Sequence, residues 1–175
     1  MIKFGPAGLG PVKTAGEVLE NYKKLGLKAC EIAFTYQVYI KPEDAKIIGE
    51  KAKELGIELS IHAPYYVNLN SEEKAKREAT KKRILDCCRI GDLLGAKTII
   101  FHPGYYGKEK SKTYENIKRG IIEIKNQIKK HNWKVNIAPE TMGKVNLHTA
   151  SCVASRRIRT ISIVRSFFPD FLYKF

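Results

Sequence analysis

Two histidines and one glutamate stand at the ends of short apolar runs, and each of the three lies close to a proline. His62 and His102 each close a run rich in isoleucine, and Glu140 follows Pro139 after a third run. Proline lacks a backbone N–H, so it stops regular strand pairing directly beside these side chains. Imidazole nitrogens and carboxylate oxygens are zinc ligands, and a site with three protein ligands keeps a position open for water or substrate. The pattern therefore predicts a metal site suited to hydrolysis.

These side chains meet only if their apolar runs form neighbouring parallel strands, which lie about 4.8 Å apart. The sequence alternates apolar runs with charged amphipathic segments, as a strand–helix repeat does. The predicted strands are 2–4, 29–34, 57–61, 98–101 and 135–138, and the predicted helices are 14–25, 42–55, 71–94 and 111–130. Ser71, followed by two glutamates, marks the expected start of the third helix. The continuous apolar character of the strands predicts burial on both faces of a parallel sheet.

The composition is that of a soluble globular protein, with 43% hydrophobic and 29% charged residues. Neither a run of 18 apolar residues nor an apolar signal core is present, so we expect a cytoplasmic protein without membrane contact. None of the four cysteines forms a CxxC pair, which favours buried thiols over a cysteine zinc site. The net charge of +14 indicates a polyanionic partner such as DNA or RNA, with a solvated lysine–glutamate surface as the alternative.

The character of the sequence changes after Asn146. The first 146 residues hold 17 acidic residues, whereas the last 29 hold only Asp170 while serine becomes frequent. We interpret 1–146 as one partial α/β domain and 147–175 as an aberrant basic tail, with a frameshift as the leading hypothesis. The alternative is a natural basic tail that binds nucleic acid.

Five segments of the sequence resemble endonuclease IV, the AP endonuclease family 2 among the xylose-isomerase-like TIM barrels. The segments are Phe4–Gly8, Glu31–Thr35, His62–Leu69, Phe101–Gly104 and Pro139–Thr141. The resemblance implies a (β/α)8 TIM barrel, which typically takes about 250 residues, so that only about the first five strands and four helices would be present here. It also implies base excision repair chemistry, in which a three-zinc cluster hydrolyses the phosphodiester 5′ to abasic sites in DNA.

The same resemblance implies roles for the three residues at the strand ends. His62 and His102 would hold the first zinc, and Glu140 would bridge it to a second zinc as part of the catalytic centre. The family's later ligands, an Asp-x-Ala-His-type motif, an Asp-x-His pair and a final glutamate, are not found after Glu140, where His148 and Asp170 are the only histidine and acidic residue. The chain would then retain ligands for about one zinc, with impaired or absent catalysis.

The resemblance also implies a DNA-binding surface. Tyr65 resembles the aromatic residue that reaches the DNA near the lesion, where a ring can stack in place of the missing base; the alternative is a buried core tyrosine. Thr35, Tyr36 and Gln37 fall in a loop that contacts DNA in the family. Two other functions stay open: a sugar isomerase or epimerase of the same superfamily, and a non-catalytic protein that binds damaged DNA in a salt-sensitive manner.

Overall fold

The computed structural model of the chain describes residues 2–141, and the proposed tail at 147–175 lies outside them. The secondary structure elements follow one another in strict alternation after the first helix. They are a 3-10 turn at Val12–Thr14, α1 (Ala15–Lys24), β1 (Ala29–Ala33), α2 (Pro42–Leu55), β2 (Glu58–His62), α3 (Lys74–Leu94), β3 (Thr98–Phe101), α4 (Lys110–Lys130) and β4 (Asn136–Pro139). Within this part of the chain, no helix is long and apolar enough to cross a membrane.

The four strands form one parallel sheet in the order β1-β2-β3-β4. Ala33 pairs with His62 across the first pair of strands, and Phe101 pairs with Pro139 across the last pair. Each strand is joined to the next by a helix, as parallel pairing requires. The predicted α/β architecture of a partial TIM barrel with four α-helices is confirmed, and α2 has the predicted bounds.

The prediction of a first strand at 2–4 is wrong, and the described residues contain four strands rather than five. The segment from Phe4 to Gly8 lies beside β1 without forming a strand, joined by the single parallel bridge between Ala7 and Glu31. The carbonyl of Phe4 accepts hydrogen bonds from the N–H groups of Lys28 and Ala29. Pro6 removes a donor from this segment, which leaves it too few hydrogen bonds for a regular ladder.

The third helix begins later than Ser71. It starts at Lys74, and Glu73 occupies the N-cap position with no side-chain capping bond. The Ser71 hydroxyl instead accepts a hydrogen bond from the N–H of Glu73, 3.3 Å away. The serine therefore closes a local turn ahead of the helix, an arrangement that competes with helix capping for the same side chain.

The helices cover one face of the sheet. A Cβ atom added to Gly91 of α3 would lie within 3.4 Å of the side chains of Ile61, Ile99 and Val135, which marks the side that faces the helices. Because side chains alternate along a strand, His62 projects to the opposite side. The expected burial on both faces is found in part: on that opposite side Ser60, Ile100 and Ala138 are buried, whereas Ala33 is exposed.

Two neighbouring helices approach closely at Gly49 of α2. An added Cβ atom would lie 2.7 Å from the backbone oxygen of Leu94 at the end of α3. Backbone atoms cannot rotate away as a side-chain tip can, so the glycine lets the two helices approach.

We expect Gly49→Ala to lower the free energy of unfolding by about 1 to 3 kcal/mol, the usual cost of overpacking a closed interior. Gly16→Ala in α1 is the matched control, because a Cβ atom there meets nothing within 4 Å. Alanine favours a helix over glycine by up to about 1 kcal/mol, so the control is expected to be neutral or stabilising. Urea unfolding of both variants measures the difference, and equal stability of the two would contradict this account of the α2–α3 contact.

Candidate metal centre and its aromatic surroundings

The backbone ladder holds the three predicted ligand residues at one edge of the sheet. His62 ends β2, and its carbonyl accepts a 2.9 Å hydrogen bond from the N–H of Phe34. The N–H of Glu140, directly after β4, donates to the carbonyl of Phe101 over 2.9 Å. His102 follows Phe101 at the end of β3. Three successive parallel strands thus present their carboxyl ends, and these three residues, to the same space.

The side chains of His62, His102 and Glu140 meet there. One ligand atom of each lies within 4.8 Å of the ligand atoms of the other two. The two imidazole rings have centroids 5.0 Å apart, and the Nε2 atom of His62 lies 3.4 Å from the Oε2 atom of Glu140. The structure brings these residues together as the sequence predicted, while their role as metal ligands stays a prediction.

Each histidine is oriented by a hydrogen bond between its Nδ1 atom and a backbone carbonyl. The Nδ1 atom of His62 lies 2.9 Å from the carbonyl oxygen of Ala63, and that of His102 lies 3.3 Å from the carbonyl oxygen of Glu140. A carbonyl only accepts, so Nδ1 carries the proton and Nε2 of the neutral ring keeps its lone pair. Metal-binding histidines are commonly oriented in this way, by a hydrogen bond from the ring nitrogen that does not face the metal.

The distances are compatible with a tetrahedral ion. Bonds of about 2.0 to 2.2 Å place neighbouring ligand atoms about 3.4 Å apart, which is the separation of the His62 and Glu140 atoms. The ligand atoms of the three residues lie at most 4.8 Å apart. The most distant two therefore have to approach by at most roughly 1.4 Å to reach the separation of a tetrahedral site. The side chain of Glu140 is half exposed, whereas that of His62 is only 14% exposed and is held by its hydrogen bond to the Ala63 carbonyl. The donor set and the spacing therefore fit a zinc-like cation.

The two histidines have opposite pKa shifts. Burial disfavours the charged form of His62, but hydrogen bonds to Glu140 and to the Ala63 carbonyl outweigh it and raise the pKa. The hydrogen bond from His62 in turn lowers the pKa of Glu140. For His102, burial lowers the pKa more than the contact with the Glu140 carbonyl raises it. His102 is therefore the more readily available neutral ligand.

A further carboxylate, Glu31, lies beside this cluster. Glu31 lies on β1 and pairs with Ser60 of β2. Ser60 precedes His62 by two residues, so Glu31, Ser60 and His62 face the same side of the sheet. Burial raises the pKa of Glu31, the neighbouring His62 lowers it to a smaller extent, and the charge of Glu140 raises it again. Glu31 begins one of the segments that resemble endonuclease IV. Its sequence context indicates no chemical role, because a glutamate inside a strand carries no motif of its own.

Tyrosine rings from two loops surround the cluster. Tyr65, in the loop 63–73 between β2 and α3, stacks on His102 with centroids 5.9 Å apart and lies 5.6 Å from His62. Its side chain is 53% exposed, so Tyr65 is not a core residue. Tyr36, in the loop 34–41 between β1 and α2, stacks on Tyr66 with centroids 6.3 Å apart. No motif in the sequence indicates a role for Tyr66, although it follows Tyr65 directly.

The two neighbours of Tyr36 in that loop are less closely tied to the cluster. Thr35 is exposed, and its carbonyl accepts a 3.3 Å hydrogen bond from the N–H of Tyr65. This bond joins the loops that carry the tyrosines. Gln37 is also exposed, and the structure gives it no contact with the histidines or with Glu140. The assignment of Thr35, Tyr36 and Gln37 to DNA contacts stays a prediction.

Asn70 braces the loop 63–73 against the loop 102–109 between β3 and α4. Its Nδ2 atom donates to the carbonyl of Tyr105 over 2.9 Å and to the Thr113 hydroxyl over 3.1 Å. Its Oδ1 atom accepts a 2.9 Å bond from Asn116 of α4. Both the NH2 group and the carbonyl oxygen of the Asn70 side chain are therefore hydrogen-bonded. These bonds hold the loops that follow His62 and His102 in one arrangement.

Asn68 fixes the loop 63–73 from within, ties it to α3 and packs against Gly104 of the loop 102–109. Its Oδ1 atom accepts a hydrogen bond from the N–H of Asn70, and its own N–H donates to the Thr80 hydroxyl of α3, both over 3.0 Å. Gly104 has a φ of +146°, and a Cβ atom there would lie 2.4 Å from Oδ1 of Asn68. The glycine after His102-Pro103 is therefore required by the packing of the preceding loop.

The described cysteines take no part in the site. Cys30, Cys87 and Cys88 are buried and unpaired, as expected from the sequence. Burial raises the pKa of Cys30 and of Cys87 to about 12, and it raises that of Cys88 as well. Thiols with such pKa values do not supply the thiolate that binds zinc.

The fold and the site together define a TIM-barrel type of protein with a cluster of candidate ligands at the carboxyl edge of its strands. The chain belongs to the xylose isomerase-like TIM barrel family, whose sequence profile matches residues 19–159. An uncharacterized protein of Methanocaldococcus jannaschii is 39% identical over 149 residues, which cover 82% of this chain and 52% of that protein. A probable endonuclease 4 of Acholeplasma laidlawii is 34% identical over 100 residues, which cover 54% of this chain and 33% of that protein.

Solved structures show the same fold. A D-tagatose 3-epimerase-like protein is similar with a TM-score of 0.67 and 23% identity, covering 85% of this chain and 55% of that one. Endonuclease IV from Thermus thermophilus is similar with a TM-score of 0.57 and 20% identity, covering 77% and 51%. The chain spans about half the length of these proteins and of its first curated relative.

We expect the two histidines of the metal-free protein to titrate on opposite sides of 6.5, with His62 above that value and His102 below it. The favourable contact of His62 with Glu140 is then fully present below pH 6.5 and is lost as the pH rises through the raised pKa of His62. At the acid end it is lost as the pH falls through the lowered pKa of Glu140. An NMR titration of the imidazole protons in the presence of a chelator measures both values.

Glu140→Gln is the control for this titration. It removes the charge but keeps the size of the side chain, so the pKa of His62 is expected to fall relative to that of the unaltered protein. A His62 midpoint at or below 6.5 in the unaltered protein would contradict the geometry described here.

Proposed function

We propose that this chain is a zinc-binding protein of the endonuclease IV type that recognises abasic sites in DNA and hydrolyses the phosphodiester on their 5′ side slowly. The observation that carries the proposal is the convergence of His62, His102 and Glu140 within 4.8 Å, with both histidines presenting Nε2. A resemblance in sequence to a probable endonuclease 4 supports the choice of reaction.

His62, His102 and Glu140 would hold a single zinc ion, which when bound would polarise a phosphate oxygen and lower the pKa of a water molecule. The carbonyls of Ala63 and Glu140 keep the two imidazole rings aimed at that ion. Glu140 is the catalytic residue of the proposal, because its half-exposed carboxylate has one face toward His62 and the other toward solvent. It is placed to accept a proton from an attacking water molecule.

The surroundings of the cluster favour DNA over a small substrate. The exposed ring of Tyr65 lies against both histidines and offers an aromatic face where a base is missing. The net charge of +14 favours a polyanion, whereas a small neutral sugar needs no basic surface. Thr35, Tyr36 and Gln37 extend the exposed surface from the neighbouring loop.

A sugar epimerase is the second candidate, and Glu31 is the observation in its favour. Epimerisation moves a proton at a carbon atom, for which an enzyme needs acid and base groups near its metal. Burial raises the pKa of Glu31, and Glu140 has a lowered pKa, so the two carboxylates beside His62 differ in proton affinity. The similarity to a D-tagatose 3-epimerase-like protein supports the fold of this alternative, not its activity.

Zinc binding is tested first, without reference to catalysis. We expect calorimetry to show that the protein binds about one equivalent of zinc. His62→Ala or His102→Ala should weaken zinc binding by at least about 100-fold, because loss of a residue that only hydrogen-bonds to a ligand already costs up to about 100-fold in affinity. His131→Ala is the matched control, because His131 is exposed at the end of α4 and stacks on Trp133. Unchanged affinity in both ligand variants would place zinc elsewhere and sink the proposal.

Incision is tested on a duplex with one abasic site under single-turnover conditions with added zinc. We expect a cut 5′ to the lesion that is abolished by a chelator and by His102→Ala. The rate should be low, because one ion does the work that the resemblance assigns to three. Circular dichroism of the variant checks that it remains folded.

The other outcomes separate the alternatives. Turnover of a ketose without incision would establish the epimerase and exclude the nuclease. Binding of the abasic duplex that weakens with salt, with no incision under any divalent metal, would leave a damaged-DNA-binding protein without catalysis.

A further inference from the structure

The stacked pair Tyr36–Tyr66 lies outside the candidate metal centre and is exposed to an unusual degree. The two side chains are 72% and 64% exposed, although tyrosine rings are amphipathic and normally bury part of their apolar faces. Their planes are inclined by 28° with centroids 6.3 Å apart. Each ring comes from a different loop, and within the described residues neither stacks on a histidine of the cluster. An exposed aromatic surface without a role in the metal site calls for a partner.

A guanidinium group lies beside this pair. The NH1 atom of Arg83 in α3 donates a 3.1 Å hydrogen bond to the carbonyl oxygen of Tyr66. Arg83 is exposed, and its guanidinium carries further N–H donors beyond the one bonded to Tyr66. Two stacked rings with an adjacent arginine offer one partner for a base and another for the phosphate that follows it. This combination is how proteins bind single-stranded nucleic acid without sequence preference.

We propose that Tyr36, Tyr66 and Arg83 form a stacking platform for the bases of single-stranded DNA, and that it works without metal. The inference shares its partner, DNA, with the proposed function, but it depends on neither zinc nor catalysis. The net charge of +14 supports a polyanionic occupant. The bond between the N–H of Tyr65 and the carbonyl of Thr35 joins the two loops and fixes the pair relative to the metal centre.

Base stacking is tested by fluorescence anisotropy in the presence of a chelator. The probes are a strand of about 12 thymidines, a length within the range of single-strand sites, and a strand of equal length that carries only abasic tetrahydrofuran residues. We expect the thymidine strand to bind roughly tenfold or more tightly, because only it can stack. Equal affinity for the two strands would show contacts with phosphate alone and would overturn the platform.

Variants assign the effect to the two rings. Tyr36→Leu and Tyr66→Leu should each remove most of the preference for the thymidine strand, whereas Tyr36→Phe and Tyr66→Phe should retain it. Tyr114→Leu on α4 is the matched control, since Tyr114 is an exposed tyrosine outside the pair, and it should leave the preference unchanged. A preference that survives both leucine substitutions would refute the assignment.

Arg83 is tested through salt. Arg83→Gln should weaken both strands about equally and reduce the slope of log affinity against log salt concentration by about one. An unaltered slope removes Arg83 from the platform. The outcome is independent of the proposed function: base-dependent binding without incision defeats only the nuclease, and incision without base-dependent binding defeats only the platform.

Discussion

The parallel register of β1 to β4 is the constraint on which the rest of the structure depends. It pairs Ala33 with His62 and Phe101 with Pro139, so that the carboxyl ends of the strands reach one edge together. A shift of one residue in any pair would turn the affected side chain to the helix-covered face. That face is filled by Ile61, Ile99 and their neighbours, so the shift would bury a histidine among aliphatic side chains. The hydrophobic core and the candidate site are thus fixed by the same hydrogen bonds.

The loops after the strands are the second level of this organisation. Only their first residues are bonded to the sheet, yet these loops carry the exposed tyrosines near the cluster. Asn70 holds two of these loops together through side-chain hydrogen bonds, Asn68 fixes one of them from within, and Gly104 leaves space for the Asn68 amide. Thr35 and Tyr65 join the third through backbone atoms. Side-chain amides that are hydrogen-bonded in this way help to specify one arrangement of a loop.

Much of this could be predicted from the sequence, for reasons that are visible residue by residue. Strand ends at His62 and Phe101 are marked by apolar runs that stop at a histidine beside proline, and the glycine at 56 has the positive φ that ends α2. The failures have two causes, local interactions that compete with regular structure and contacts between distant parts of the chain. Ser71 closes a turn instead of capping α3, and the segment after Ile2 pairs with β1 through isolated bonds because Pro6 interrupts it. Glu31 and the pairing of Tyr36 with Tyr66 depend on which strands and loops become neighbours, which no short motif encodes.

The arrangement of the loops also bears on how metal binding and DNA binding relate. Tyr65 contacts both histidines, so a ring that moves to stack on DNA changes the surroundings of the metal centre. Tyr66 is the next residue but stacks on Tyr36, away from the histidines. Tyr65 faces the histidines and Tyr66 faces Tyr36, so in the two proposals the neighbouring tyrosines would serve two separate surfaces. If both proposals hold, one short segment would link recognition of a strand to the state of the metal centre.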